Sequence, residues 1–203
     1  SPDGRYILFT SKAQNLLADN STIAAYNAFI YDRTANTLDI VNRTESGAKP
    51  DNLCFSGDIA DEARAVTFTS SASNLIAGDT NSSTDVFVSV KTTDAWSIQP
   101  KGVIGGWRND LAVAGNIAYV TEGTSVVLYD ISGDTLVKRS QLTLPIEPAM
   151  IAVSGDRLYA VGNAPSHTQS VTYFVAADVA NPAAPSVLGS CPISGLKWGG
   201  NMA

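Results

Sequence analysis

Oxygen-bearing side chains recur closely in one loop of the sequence, and oxygen is the donor atom that Ca²⁺ binds in proteins. The loop reads GDTNSSTD and carries Asp79, Asn81 and Asp85. Ca²⁺ takes about six to eight oxygen ligands, so a short loop with alternating carboxylate and amide groups can curl around one cation. Asn and Asp side chains also close turns by bonding to their own backbone. The sequence therefore leaves two interpretations open, a Ca²⁺ site at these three residues or a set of turns.

The other residues with chemical potential do not form a catalytic set in the sequence. The single histidine, His167, has no second His and no Cys pair at a metal-binding spacing. The sequence has neither a Gly-x-Ser-x-Gly nucleophile turn nor a Gly-rich phosphate loop before a helix. Asp58, Asp61 and Glu62 could act as a carboxylate pair, with a solvated acidic loop as the alternative. The sequence predicts a protein that is not an enzyme and that needs no cofactor apart from the Ca²⁺ considered above.

Cysteine and tryptophan side chains allow both structural and functional interpretations. Cys54 and Cys191 are too few for a disulfide framework, so two separate thiols are favoured and a long-range disulfide is the alternative. The three tryptophans, Trp96, Trp107 and Trp198, could line a ligand surface or fill space between sheets.

Composition and charge limit the class of protein and the kinds of partner. The chain has 203 residues, of which 44% are hydrophobic and 16% charged, so it can build a buried core. Its formal charge is −6, and its basic residues are scattered, which argues against a nucleic-acid groove. No apolar run approaches the roughly 20 residues that span a bilayer. We therefore expect neither nucleic-acid binding nor membrane insertion.

The first half of the sequence contains one pattern twice. The stretch SPDGRYILFTSKAQNLLADNST, residues 1–22, recurs as DEARAVTFTSSASNLIAGDTNSST, residues 61–84. Each copy begins with a short run rich in β-branched and aromatic residues, continues through a polar loop and enters a hairpin, across TANT or KTTD. The pattern predicts about three visible strands in each copy, with a fourth in the less regular connecting segments.

The second half contains a different repeat. LAVAGNIAYVTEGTSVVLYDIS, residues 111–132, matches IAVSGDRLYAVGNAPSHTQSVTYFVAADVA, residues 151–180, after an insertion near His167. Both copies have an apolar strand, a Gly-Asn or Gly-Asp turn, a strand with a Tyr and a strand that ends in Asp. The tail GLKWGGNMA, residues 195–203, is similar to the beginning of another copy.

Four units of strands without an amphipathic helical pattern predict an all-β fold. Repeated small sheets of roughly 40 to 60 residues are typical of a β-propeller, whose blades are four-stranded antiparallel sheets that stack on one another. We predict about four blades in one continuous propeller or propeller fragment, two in residues 1–100 and two in residues 101–203 with the start of another. We expect an open arc of a larger propeller. A β-sandwich is the structural alternative.

Particular motifs in these repeats resemble known families. SPDGRYILFTS at residues 1–11 and NLIAGDTNSSTDVFV at residues 74–88 resemble the TolB-like, WD40-like (PD40-type) propeller repeats of bacterial envelope and secreted proteins. The second copy departs from that pattern where ADEAR replaces the Ser-x-Asp-Gly-Arg turn. YVTEGTSVVLYDIS and DVANPAAPSVLGS, in the second half, are similar to the LVIVP-type repeats of surface-exposed bacterial proteins.

The resemblance implies an architecture and a location more than an activity, because propellers host unrelated functions on one scaffold. It implies an extracellular or cell-envelope propeller, secreted, periplasmic or on the cell surface of a bacterium. Because the sequence shows no catalytic set, we expect this propeller to be non-catalytic and to bind a protein or glycan partner. Two alternatives stay open: an access-controlling domain of a larger hydrolase of the prolyl oligopeptidase type, and a Ca²⁺-stabilised structural segment of a surface protein. In each case the remaining blades of the same polypeptide are expected partners.

Overall fold

The computed structural model describes residues 1, 3–18, 22–44, 46–60, 63–80, 83–91, 98–104, 110–133, 135–165 and 171–193. These residues form fifteen β-strands and no α-helix, which confirms the all-β prediction. In chain order the strands are β1 (Tyr6–Ser11), β2 (Asn27–Asp32), β3 (Thr37–Ile40), β4 (Cys54–Ile59), β5 (Ala65–Ser70), β6 (Asp85–Lys91), β7 (Ile98–Ile104), β8 (Leu111–Ala114), β9 (Ile117–Glu122), β10 (Ser125–Asp130), β11 (Val137–Thr143), β12 (Glu147–Ser154), β13 (Arg157–Asn163), β14 (Thr172–Asp178) and β15 (Ser186–Ile193).

The strands form four separate antiparallel sheets that follow one another along the chain. The first sheet is β1–β3, the second β4–β7, the third β8–β11 and the fourth β12–β15, each paired in sequence order. The strands β4, β8 and β12 begin their sheets, and β8 contacts both β4 and β12. We call these three the inner strands. Small sheets stacked side by side are the arrangement of propeller blades, whereas the alternative β-sandwich requires two broad layers.

The first sheet has three strands among the described residues, β1, β2 and β3, as expected for the visible strands of one copy. Its β1 corresponds to β5, the second strand of the second sheet, and no described strand of the first sheet corresponds to the inner strand β4. Ser1 N donates a hydrogen bond to Tyr6 O over 2.7 Å, as Ala60 N does to Ala65 O over 2.9 Å. Ser1 therefore occupies the position of Ala60, the residue that follows inner strand β4 in the second sheet.

Two stacked phenylalanine pairs confirm the repeat in the first half. Phe9 and Phe29 face each other across β1 and β2, with ring centroids 5.5 Å apart. Phe68 and Phe87 do the same across β5 and β6, at 5.6 Å. Because directly opposed residues share one face of a sheet, the sequence repeat reproduces both the pairing register and the side-chain packing.

Alternation along the strands makes both faces of each sheet apolar, and neighbouring sheets bury these faces against each other. Successive side chains of a strand point to opposite faces, so a strand between two neighbours contributes to two cores. Residues of the first and second sheets share one cluster, those of the second and third another, and those of the third and fourth the largest. Burial of this surface stabilises the fold by about 25 cal/mol per Å² of apolar area. Cohesion therefore depends on contact between consecutive sheets.

In the first, third and fourth sheets, an Asp side chain at the end of one strand forms an ion pair with an Arg of the same sheet. This Asp also accepts a hydrogen bond from the main-chain N–H two residues later, which begins the turn that follows. In the second sheet the corresponding residue is Val90, and Arg64 instead donates to Gly115 O of the third sheet over 2.7 Å. The three ion pairs join Arg5 to Asp32, Arg139 to Asp130, and Arg157 to Asp178.

We predict that Asp32→Asn lowers the free energy of unfolding by about 1–2 kcal/mol at pH 7, because it weakens two bonds from Arg5 and two from the backbone. The bond from Arg5 lowers the pKa of Asp32 to about 2. This folded-state pKa lies below the unfolded value of about 4, so the stabilisation is complete above pH 4 and is lost as the pH falls toward 2.

Urea denaturation at several pH values measures this effect. The Asn variant should lack the part of the acid-induced loss that Asp32 contributes. The matched control is Asp178→Asn, at the same position of the fourth sheet, where the carboxylate is more exposed and the cost should be smaller. Equal stability of wild type and Asp32→Asn at pH 7 would contradict the prediction.

Candidate functional site

The loop that suggested a Ca²⁺ site connects β5 and β6. Asp79 is half-buried in this loop, and Asp85 is fully buried as the first residue of β6. Asn81 lies outside the described residues. Within the part of the chain that the structure describes, no three His, Cys, Asp or Glu side chains are grouped as metal ligands. The Ca²⁺ site at Asp79, Asn81 and Asp85 stays a prediction.

The counterpart of Asp85 in the first sheet shows how a polar side chain at this position can act. Asn27 is the first residue of β2 and lies opposite Ser11, as Asp85 lies opposite Ser70. The buried Asn27 amide donates to Ile23 O over 3.0 Å and to Ala25 O over 2.9 Å. In the first sheet this position therefore closes the preceding loop through main-chain hydrogen bonds, as the alternative interpretation expects.

Asp58 of the acidic cluster connects two sheets. Asp61 and Glu62 lie outside the described residues. The Asp58 carboxylate accepts a hydrogen bond from Val113 N of the third sheet, with Oδ2 2.9 Å from the nitrogen. Its other oxygen accepts from Ile59 N over 2.9 Å. Both oxygens thus bind main-chain N–H groups, one of them across the junction between inner strands β4 and β8.

Asp110 makes the equivalent link at the next junction, and the sequence analysis missed it. Its Oδ2 accepts a hydrogen bond from Ile151 N, on inner strand β12, over 2.7 Å. Burial raises the pKa of Asp110, the hydrogen bonds from Ile151 N and Leu111 N lower it, and the negative charge of Asp58 raises it again. In the sequence this Asp is one polar residue before a short apolar run, a pattern that carries no signal for a contact made across two sheets.

The two cysteines are separate thiols. Cys54 is buried between the first and second sheets, where burial raises the pKa of its thiol, and Cys191 is exposed on β15. This arrangement confirms the favoured interpretation over the long-range disulfide.

An exposed group of side chains lies at the start of β4, and we call Lys12, Tyr26 and Phe55 the aromatic patch. The exposed fractions of Tyr26 and Phe55 are 42% and 44%. Lys12 Nζ lies 4.5 Å from the centroid of the Tyr26 ring, within cation–π range. Cys54 N donates to Tyr26 O over 2.8 Å, which attaches Tyr26 to β4 beside Phe55.

The loops beside the aromatic patch are held together by hydrogen bonds. The Asp51 carboxylate accepts from Ser73 N over 2.8 Å and from Ser73 Oγ over 2.6 Å. Asn74 Nδ2 donates to Lys49 O, and Asp51 N donates to Asn74 Oδ1, both over 3.0 Å. These bonds join the connection before β4 to the loop after β5. A preorganised surface loses less conformational entropy when a partner binds.

The remaining candidates from the sequence, His167 and the three tryptophans, lie outside the described residues. In the described part of the chain, no helix has the length and hydropathy needed to cross a membrane.

Comparison with known proteins identifies similar folds. No protein-family model matches the chain, and no curated protein sequence matches it. A hydrazine synthase of Kuenenia stuttgartiensis is similar in structure, with 13% identity and a TM-score of 0.52 over 82% of this chain and 43% of that one. The WD40 repeats of RRP9 match with 13% identity and a TM-score of 0.53 over 92% and 48%. A prolyl endopeptidase, from a study of two such enzymes, matches with 16% identity and a TM-score of 0.52 over 91% and 26%.

At these identities the similarity shows the fold alone. The chain is a β-propeller-like arc of four stacked sheets. It spans less than half the length of each of these three solved structures. The comparisons do not distinguish TolB-like or LVIVP-type repeats from other propeller repeats.

We predict that Asp110→Ala lowers the free energy of unfolding by about 1–3 kcal/mol, because Ile151 N loses its acceptor at a buried junction. Asp110→Asn is the matched control, since its amide oxygen can still accept this bond without a buried charge, and it should cost less. Because the folded-state pKa of Asp110 is raised, the wild type should gain stability relative to Asp110→Asn as the pH falls through that pKa. Equal costs of the two substitutions in urea denaturation would refute the link.

If the loop binds Ca²⁺, millimolar Ca²⁺ should raise the melting temperature, because a ligand that binds only the folded state stabilises it. Chelator and Asp79→Ala should each abolish the shift in a thermal melt followed by circular dichroism. Asp156→Ala, which removes an exposed carboxylate in the turn between β12 and β13, is the control and should keep the shift. An unchanged melting temperature on Ca²⁺ addition would remove the Ca²⁺-stabilised segment as a role for this chain.

Proposed function

We propose that this chain is a non-catalytic binding scaffold of the bacterial cell envelope or extracellular space, and that it takes a protein or glycan partner on the aromatic patch. This proposal is supported by the exposure of Tyr26 and Phe55 beside loops joined by hydrogen bonds. Aromatic side chains are enriched at binding surfaces because they bury a large area with little rotamer entropy. The location rests on the resemblance of both repeat types to those of envelope and surface proteins.

The described carboxylates support a structural role for the polar residues most able to do chemistry. Asp58 and Asp110 bind main-chain N–H groups of adjacent inner strands. Asp32 and Asp130 bind Arg side chains, and their pKa values are lowered to about 2 by hydrogen bonds. Asp32 and Asp130, which are held ionised in this way, do not have the raised pKa of a general acid at neutral pH.

A second candidate role is that of an access-controlling domain in a larger hydrolase. It is supported by the TolB-like pattern of the first half, and the propeller-like fold is compatible with it. In this role the aromatic patch would contact another domain of the same enzyme.

The test is a binding measurement on the purified chain against a glycan array and against isolated bacterial envelope proteins, followed by titration of each hit. Tyr26→Ala and Phe55→Ala should each weaken saturable binding at least about tenfold, the loss typical of a central aromatic contact. Val137→Ala, which alters an exposed apolar residue on the last strand of the third sheet, is the control and should bind as wild type does. Equal binding by all variants would refute the patch, and turnover of peptide, ester or glycoside substrates by the wild type would refute the non-catalytic role.

A further inference from the structure

Arg64 in the second sheet is the counterpart of Arg5 in the first sheet. Arg33 N donates a hydrogen bond to Arg5 O, and Lys91 N donates one to Arg64 O, both over 2.9 Å. Each of the two arginines also follows a residue with a left-handed backbone, whose φ is 69° in the first sheet and 51° in the second. The turn before the strand and its pairing with the next strand are therefore equivalent in the two sheets.

The two arginines differ in the group that neutralises their charge. Arg5 binds the carboxylate of Asp32, the residue paired with the start of β1. The equivalent position of the second sheet is Val90, which is paired with the start of β5 and has no charge to offer. Within the described part of the chain, Arg64 binds no carboxylate, and the two acidic residues of the preceding turn lie outside that part.

Arg64 reaches from the second sheet toward the third. Its Nη2 donates a hydrogen bond to Gly115 O, in the turn between β8 and β9, over 2.7 Å. A guanidinium group has several further N–H donors, so this bond leaves donors for a second acceptor. The bond to Gly115 therefore holds the cation at the junction of the two sheets without neutralising it.

Arg64 lines a small cleft of about 40 Å³ between the second and third sheets. A volume of about 10–15 Å³ holds one water, so the cleft has room for a group the size of a carboxylate. One part of the lining is apolar and belongs to the hydrophobic cluster between these sheets, while the rest is polar and exposed. The apolar residues are Ala65, Val90 and Ile131, and the polar residues are Arg64, Asn116 and Ser132.

The acidic side chain of the third sheet near this cleft has a partner of its own. Asp130 accepts a hydrogen bond from Ser132 N over 2.7 Å, and it forms an ion pair with Arg139. Its negative charge is therefore balanced within the third sheet. Arg64 is then the charged group that lines the cleft.

We propose that this cleft, which we call the Arg64 cleft, binds a carboxylate group carried on a short apolar chain. The guanidinium supplies a positive charge and planar N–H donors that match the geometry of a carboxylate. The exposed amide of Asn116 adds a neutral donor, and the apolar part of the lining contacts the carbon chain. A free small acid and the C-terminus of a peptide present this same chemistry.

The Arg64 cleft is separate from the aromatic patch. Phe55 of the patch lies at the start of β4, whereas Arg64 lies beside the end of that strand, where Ala60 N donates to Ala65 O. The inference is therefore independent of the binding role proposed above, and failure of one site to bind leaves the other intact.

The first test is a titration of the isotope-labelled chain with butyrate, followed by the amide chemical shifts. Butyrate should shift the signals of Arg64, Asn116 and Ser132 in a saturable way, whereas butyramide, its uncharged analogue, should not. Arg64→Gln should weaken butyrate binding at least about tenfold, because it removes charged hydrogen bonds. The matched control is Arg33→Gln, which removes an equal charge from an exposed arginine that donates to Gly4 O, and it should bind as wild type does.

A second variant tests the cleft without removing its arginine. Val90→Asp places a carboxylate where Asp32 stands in the first sheet, so it should bind Arg64 and weaken butyrate binding at least about tenfold. Val90→Asn, of similar size and uncharged, is the control and should keep the shifts. The proposal would be overturned by wild type without saturable shifts, by equal binding of butyramide, or by undiminished binding in Arg64→Gln or Val90→Asp.

A peptide ligand distinguishes the two sources of the carboxylate. Acetylated dialanine with a free C-terminus has the charge of butyrate and adds peptide groups. Binding at least about tenfold tighter than that of butyrate supports a peptide C-terminus as the ligand, and equal or weaker binding supports a free small acid. Equal binding of the same peptide with an amidated C-terminus would contradict recognition of a carboxylate.

Discussion

Each small sheet of this protein has two apolar faces and therefore needs a neighbour on each side. A two-layer protein buries one face of each sheet, but here Val, Ile, Leu and Phe alternate to both faces of the central sheets. Side-by-side stacking of consecutive sheets satisfies this need, and the order of the sheets follows the order of the chain. The stability of one sheet consequently depends on the sheets beside it, as in other repeat proteins.

Polar contacts add direction to this stacking. Hydrophobic burial is non-directional. A hydrogen bond from a main-chain N–H of one sheet to a carboxylate of the next fixes the relative position of the two sheets. Asp58 and Asp110 make such contacts at successive junctions between inner strands. Within three of the sheets, an Asp at a strand end holds an Arg and starts a turn. The hydrogen bonds of these Asp side chains therefore position strands and turns.

Because these Asp side chains have structural roles, the proposed function depends on a surface and not on a reactive group. Lys12, Tyr26 and Phe55 surround the start of β4, where loops from the first and second sheets meet. Their backbone is held by the sheets, so the side chains can be varied without loss of the core.

The sequence by itself determined the all-β class and the four repeating units, because strand periodicity and repeated spacing are local properties of the chain. It did not reveal that Asp110 joins two sheets, or that Tyr26 and Phe55 are exposed while Phe29 and Phe68 are buried. An apolar residue carries the same local pattern whether or not another sheet covers it. Only the tertiary structure decides exposure, because coverage depends on which sheet stands next to a given face.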